Sequence, residues 1–596
     1  MKPKKQSIQQ IVALLLKPIS KNWCFFLMMY LLGAFCIFVT DECIYLPFYV
    51  KLFFELFLDL YLLCILISVL PRPIAITSKC LLSILFYLCT FAELFCILRL
   101  DTQITPSVVQ LVLETNAKEA GDFFSTYINP QLLLSPIGIL CILLLLHLSL
   151  SVFLSHHQRK TITKQPTALT RRLSVPFVLL LVLAFLASIT NKKYLTELFS
   201  KKSVDDLELY MANHNWASRS LYTSTHRFIF ALHSNHLAVR QLDNLVRLYD
   251  EITIEDCNTT TQNIVLIIGE SYNKHHSQLY GYPYETTPHQ NARYANGELW
   301  VFQDAVTPFN LTSDVFKNMF STNNLSNHER WTDYPLFTQV FHKAGYNVTF
   351  ITNQFVKNKD KEFFDFSGSV FLNNDRIETT QFSHRNLKKY DDDLMLLAEY
   401  DSLKQYSTDK NLIIFHLLGQ HFDYCNRFPK DSIWFKPSDY NRNDLNESER
   451  QIIADYDNAS RYNDFVVNEI IRKFETQDAI ILYLSDHGEE CFDGIKQSGR
   501  IHSHELTKTI VKNEYQIPFW IWCSRAYRSR HDAIVREIGQ AVVKPFFSDH
   551  LPHTLIHLGG IQTPYYNQQL DILTEPYDCH LRRLLWGTVN YQQFVP

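Results

Sequence analysis

The long apolar runs of this chain crowd into its first third. They fall at Trp23–Thr40, Leu46–Leu70, Cys80–Leu100, Leu132–Ser155 and Val175–Ile189, and crossing a bilayer takes about 20 apolar residues. Five such runs in succession predict an α-helical membrane domain over 1–190 with five transmembrane helices. Val175–Ile189 is the shortest, and Leu46–Leu70 contains Lys51, Glu55 and Asp59. The segment 191–260 is polar, with amphipathic stretches such as SVDDLELYMANHNWASRSLY that predict bridging helices on or near the membrane surface. From Thr261 the pattern changes to short apolar runs separated by helical segments: NIVLIIG, YNVTFIT, NLIIFHLLG, AIILYLS and IPFWIWC. That alternation predicts an α/β domain over 261–596 whose largely parallel sheet is covered on both faces.

Basic residues add an orientation. MKPKK with Lys17 and Lys21, then Arg72 and Lys79, then Arg159, Lys160, Lys164, Arg171 and Arg172 all fall on one side of five spans. The positive-inside bias then predicts a cytoplasmic N-terminus and places everything after about residue 190 outside. No small-residue cleavage site follows the first run, so a span is expected there rather than a signal peptide. The loop 101–131 joins the third and fourth spans on the outer face, with helical spacing around LVLETNAKEA.

Charge is nearly balanced, 56 Lys and Arg against 60 Asp and Glu, which leaves no basic surplus for nucleic acid. Of thirteen cysteines, only Cys257, Cys425, Cys491, Cys523 and Cys579 lie beyond the apolar third. An odd, widely spaced set does not form a dense disulfide framework.

Candidate chemistry is scattered through the α/β region. Glu270 follows the run NIVLIIG, and Asp486 and His487 follow AIILYLS. Residues at the carboxyl ends of parallel strands meet although far apart in sequence, and two carboxylates with an imidazole suit zinc, or manganese by ligand type alone. In NLTSDVF, Thr312 and Ser313 offer hydroxyls at a helix start, where either would also serve as a cap. A Thr hydroxyl needs metal activation to act as a nucleophile at neutral pH. His421, His502 and His504 offer imidazoles for a second metal, for phosphoryl oxygens or for a leaving group. His416, inside an expected strand, reads as a core histidine.

The run NIVLIIGESYNKHHSQLYGYPYETTP, followed by TSDVFKNMFS, GQH and YLSDHGEE, resembles the phosphoethanolamine transferase family of the Gram-negative envelope. The resemblance implies five membrane helices and a periplasmic domain of the alkaline phosphatase and sulfatase superfamily. It implies that Glu270, Thr312, Asp486 and His487 bind zinc, with Thr312 also the residue that becomes modified. The spacing of Thr312 to the MFS tripeptide at 319–321 matches the family and favours it over Ser313. His421 matches a histidine for the phosphoryl group or a second zinc, and His504 rather than His502 matches a second such histidine. Thr115 and Glu119 match positions of the ethanolamine head-group site, whereas Leu111 replaces the family's Asn. FNLT at 309–312 replaces the CGT of the lipid A branch, and the soluble domain lacks that branch's paired cysteines. Both departures point to the branch that modifies core heptose.

The implied reaction moves phosphoethanolamine from phosphatidylethanolamine to a lipopolysaccharide acceptor through a Thr-linked intermediate, on the outer side of the inner membrane, by a monomer. The added ammonium would weaken attraction for cationic peptides such as polymyxin. Rival readings are another membrane-anchored phosphotransferase of the superfamily, acting with glycerol phosphate or on glucans, and a non-catalytic envelope protein that binds lipid. No C-x-P-S-R motif for a sulfatase formylglycine occurs.

Overall fold

The computed structural model describes residues 13–40, 46–100, 103–104, 132, 134–157, 174–213, 220–354, 356, 369–500 and 506–595. The chain divides into two compact units, Met1–Ala238 and Val239–Pro596.

In the first unit the expected apolar runs form α1 (Trp23–Thr40), α2 (Leu46–Val69), α3 (Arg72–Leu100), α4 (Pro136–His157) and α5 (Ser174–Ser200). All five are long and apolar enough to cross a membrane. Two boundaries differ from the sequence reading by more than four residues. α3 begins at Arg72 rather than Cys80, because Pro73 sits in its first turn, where a missing N–H costs nothing. α5 continues past Ile189 to Ser200, because its polar end is used. Asn191 donates to the buried Glu55 carboxylate at 2.5 Å, and Lys192 to Asp59 at 2.7 Å. The acidic groups of α2 are thus paired inside the bundle, which is how charge persists in an otherwise apolar helix. After α6 (Val204–Asn213), α7 (Ser224–Glu251) carries in its first turn Arg227, whose Nε lies 2.9 Å from the buried Glu93 of α3.

The second unit is built on a seven-stranded sheet. Its strands are β1 (Asn263–Gly269), β2 (Leu299–Phe302), β3 (Asn347–Thr352), β4 (His384–Arg385), β5 (Asn411–His416), β6 (Ala479–Ser485) and β7 (Phe519–Cys523), in the order β2-β7-β6-β1-β5-β3-β4. All five apolar runs expected as strands are strands. β7 alone is antiparallel to its neighbours β2 and β6. Alternate residues enter different cores: Ile264, Leu266 and Ile268 join one cluster, Val265 and Ile267 the other. Burial on both faces explains why the central strands read as unbroken apolar runs.

The register places the site. Gly269 of β1 pairs with Ser485 of β6, so the next residues, Glu270 and Asp486, emerge side by side although 216 positions apart. The described cysteines, including Cys257, Cys425, Cys491, Cys523 and Cys579, are free thiols.

Candidate metal and nucleophile site

Three loops at the carboxyl edge of the sheet build the site. After β1 the chain turns sharply at Ser271, whose φ of +56° is rare for a residue with a side chain. The turn is held from both sides: the Ser271 amide donates to Asp486 Oδ1 at 3.0 Å, and its hydroxyl donates to Glu270 Oε1 at 2.7 Å. After β5, Gly419 adopts φ +48° with its Cα against the Glu270 backbone, where a Cβ would lie 3.0 Å from the carbonyl oxygen. The buried Asp393 carboxylate holds this loop by accepting from the amides of Leu418 and Gly419, both at 2.9 Å. The Gln420 amide in turn donates to the Glu270 carbonyl at 3.1 Å, which brings His421 within electrostatic reach of the carboxylate.

After β6, Asp486 and His487 are fully buried. The His487 Nδ1 proton is assigned to the Gly488 carbonyl at 2.8 Å, which leaves the Nε2 lone pair facing Glu270 and Asp486. Nε2 lies 3.6 Å from Glu270 Oε1 and 3.2 Å from Asp486 Oδ2. Ligand atoms of Glu270, Asp486 and His487 all lie within 4.8 Å of one another. The fourth member comes from α8 (Thr312–Phe320). Its cap residue is Leu311, which forms no side-chain cap, so Thr312 is the first helical residue and its hydroxyl is spared that task. That hydroxyl lies 3.2 Å from both Glu270 Oε2 and His487 Nε2. Thr312, rather than Ser313, supplies the oxygen that reaches the group.

Electrostatics call for a cation here. Burial raises both carboxyls, but the basic groups facing it, His487, His421 and Arg500, and the Gln354 amide hold Glu270 below the usual carboxylate range. Burial and then the Glu270 charge push Asp486 well above that range. Two adjoining buried carboxyls cannot both ionise without a compensating positive charge. Burial, and then the Arg500 charge, push the His487 imidazole down to about 3, so it is the neutral ligand form. Among the described residues Asp486 Oδ2 has no hydrogen-bond partner. An orphaned oxygen, a neutral imidazole nitrogen, a second carboxylate and a hydroxyl directed at one point fit a divalent metal of the zinc type.

His421 is half-buried, and burial lowers its pKa against the raising effect of Glu270. His416 is a core group: it is fully buried, bonded to the Thr352 hydroxyl at 3.0 Å and 4.5 Å from the Phe316 ring. Thr115, Glu119, Leu111, His502 and His504 lie outside the described residues.

Sequence reasoning missed the groups that orient the site. Gln354 Nε2 bridges Glu270 Oε2 and the Leu417 carbonyl, at 2.8 and 2.9 Å. Arg500 Nη1 lies 3.0 Å from His487 Nε2. Glu489, buried and pushed up to about 8 chiefly by that burial, accepts from the Tyr424 hydroxyl at 2.6 Å. Only Glu489 had a local signal, its place directly after SDHG.

Residues 262–561 match the family described as Sulfatase. The phosphoethanolamine transferase EptC of Escherichia coli O18:K1:H7 (strain RS218 / NMEC) is 26% identical over 502 residues, covering 80% of this chain and 78% of that protein. The phosphoethanolamine transferase CptA of Salmonella typhimurium (strain LT2) is 27% identical over 482 residues, covering 77% and 76%. Among solved structures, the C-terminal periplasmic domain of EptC from Escherichia coli in complex with Zn is 26% identical and covers 57% of this chain and 95% of that one, with a TM-score of 0.49.

Proposed function

This chain belongs to the sulfatase family, and from that premise we propose that it is a zinc-dependent phosphoethanolamine transferase of the inner membrane. Its second unit would face the periplasm, its donor would be phosphatidylethanolamine, and its acceptor a lipopolysaccharide, core heptose being favoured over lipid A. The observation that supports this reading best is the Thr312 hydroxyl set 3.2 Å from both Glu270 and His487. A hydroxyl of the chain itself suits a covalent intermediate, from which the group passes to the acceptor in a second displacement.

Glu270, Thr312, Asp486 and His487 would hold the zinc, which when bound favours the ionised hydroxyl and offsets charge on a phosphoryl oxygen. The chain's own groups do the rest. Glu270 Oε2 accepts from the Thr312 hydroxyl and so holds Oγ1 at the site. In the first displacement Thr312 Oγ1 bonds to phosphorus as the bond from phosphorus to the diacylglycerol oxygen breaks. Overall one proton passes from Thr312 to that oxygen, and phosphoethanolamine stays on Thr312 as a diester. In the second, an acceptor oxygen bonds to phosphorus, and Thr312 leaves and regains a proton. A neutral His421, kept so by burial, has one N–H to give a phosphoryl oxygen in both steps.

Lipopolysaccharide from cells with and without the gene, resolved by mass spectrometry into lipid A and core sugars, tests the reading. Phosphoethanolamine that depends on the gene and resides on a core heptose is expected. Identical profiles would overturn the activity, and a gene-dependent group on lipid A would overturn the acceptor.

A further inference from the structure

Arg500 reaches the centre of the site from outside every motif considered above. A short antiparallel pairing brings it there: Ser498 pairs with Cys491 and Gly499 with Glu490, so the residue after Gly499 comes level with Glu489. Gly499 makes the bend at φ +93°. The guanidinium is largely enclosed, with 19% of the side chain exposed. Its Nη1 is 3.0 Å from His487 Nε2 and its Nε 3.8 Å from Glu489 Oε2. Of five N–H donors, one has a hydrogen-bond acceptor among the described residues.

That one bond competes with the site's own chemistry. His487 Nδ1 is committed to the Gly488 carbonyl, so Nε2 has a single lone pair, and both Arg500 Nη1 and the Thr312 hydroxyl converge on it. Were His487 to give that lone pair to a metal ion, positive charge would stand beside the guanidinium. The guanidinium would then lose its acceptor and be repelled from the imidazole, with the Glu489 carboxyl, held by Tyr424, 3.8 Å from its Nε. An anion with two oxygens a short distance apart is the partner that this geometry lacks. The phosphodiester of the donor supplies such a pair, in the planar fork that Arg and not Lys matches.

We infer that Arg500 is a catalytic phosphoryl clamp: its guanidinium, set beside His487 and Glu489, turns to the non-bridging oxygens of the phosphodiester, and of the Thr312 diester. Glu489 and Tyr424 are its positioning residues. The inference rests on the transferase reading and adds a residue and a coupling to it: Arg500 opposes metal binding and favours phosphoryl transfer.

The test uses the full chain in phosphatidylethanolamine nanodiscs, comparing wild type with Arg500→Ala, Arg500→Gln and Arg500→Lys. Zinc affinity is measured by competition with a chromophoric chelator, and the Thr312 adduct by mass spectrometry without acceptor. Arg500→Ala should form the adduct about 10²-fold or more slowly, the scale of losing one preorganised donor, while binding zinc as tightly as wild type or several-fold tighter. Guanidinium ion added to Arg500→Ala should restore part of the rate, and Arg500→Lys should keep more of it than Arg500→Gln. Arg500→Gln serves if the Ala variant does not fold. Adduct formation within threefold of wild type in Arg500→Ala or Arg500→Gln would overturn the clamp, as would zinc affinity falling in step with rate, which marks a role only in holding His487. A wild-type protein that binds zinc but never gains the adduct would remove the transferase reading and the clamp with it. A normal wild-type adduct with indifferent Arg500 variants removes the clamp alone.

Discussion

The Thr312 hydroxyl oxygen lies 3.2 Å from His487 Nε2, although 175 residues separate the two. It shares that nitrogen with Arg500 and forms no helix cap, so its position answers to the site and not to the helix.

If Thr312 is the nucleophile, Thr312→Ala should lower transfer by about 10³-fold or more, the scale of losing a nucleophile. Thr312→Ser should keep measurable activity, because the oxygen is retained. Steady-state transfer to lipopolysaccharide, with peptide mapping of the adduct, checks both. An active Ala variant would remove the covalent step.

Glu270 and Asp486 adjoin in a buried place where one of them resists ionising. Asp486→Asn should therefore cut the zinc content, measured by elemental analysis of purified protein. Stripping the metal from wild type should lower its melting temperature, since a ligand at a hundred times its Kd stabilises by about 2.7 kcal/mol. Full zinc occupancy in Asp486→Asn would remove Asp486 from the ligand set.

Gly488 has the Asn513 carbonyl pressed against its Cα: a Cβ would lie 2.0 Å from that oxygen. Gly488→Ala must displace one loop or the other, with an overpacking cost of about 1–3 kcal/mol. Because Gly488 also accepts the His487 Nδ1 bond, zinc affinity should fall together with denaturant stability. A variant with both properties unchanged would show that the loops separate freely.

His276 is buried between two carboxylates, with Nδ1 2.6 Å from Asp457 and Nε2 2.7 Å from Asp493. Burial works to lower its pKa, but Asp493 and Asp457 raise it to about 10. The unfolded value is about 6.5, so the folded state binds the extra proton. The resulting stability is fully present below pH about 6.5 and is lost as pH rises toward 10, amounting to a few kcal/mol at most. Tyr282 and Tyr440 donate to the same Asp457 and stay neutral in this window, because burial raises both. Thermal unfolding between pH 6.5 and 9.5 should show a fall in wild type that is largely absent in His276→Gln. Equal slopes would place the proton elsewhere.

Much of the architecture was legible in the chain itself, because burial leaves a local record. A helix surrounded by lipid or a strand covered on both faces must be apolar along its length, and so α1 to α5, β1, β3, β5, β6 and β7 could be read from runs of residues. Glu270, Asp486 and His487 were legible because each follows such a run directly. What a run does not encode is its neighbour. The pairing of Gly269 with Ser485, the antiparallel direction of β7 and the continuation of α5 to meet Glu55 and Asp59 depend on hydrogen bonds and ion pairs between distant segments. The same holds for Gln354, Asp393 and Arg500, single polar residues in unremarkable surroundings whose roles exist only where β1, β5 and β6 end together. The chain alone determined which chemistry was available. Only the tertiary structure decided which hydroxyl faces the carboxylates and which guanidinium competes for the imidazole, because both are matters of a few ångströms between segments that share no local pattern.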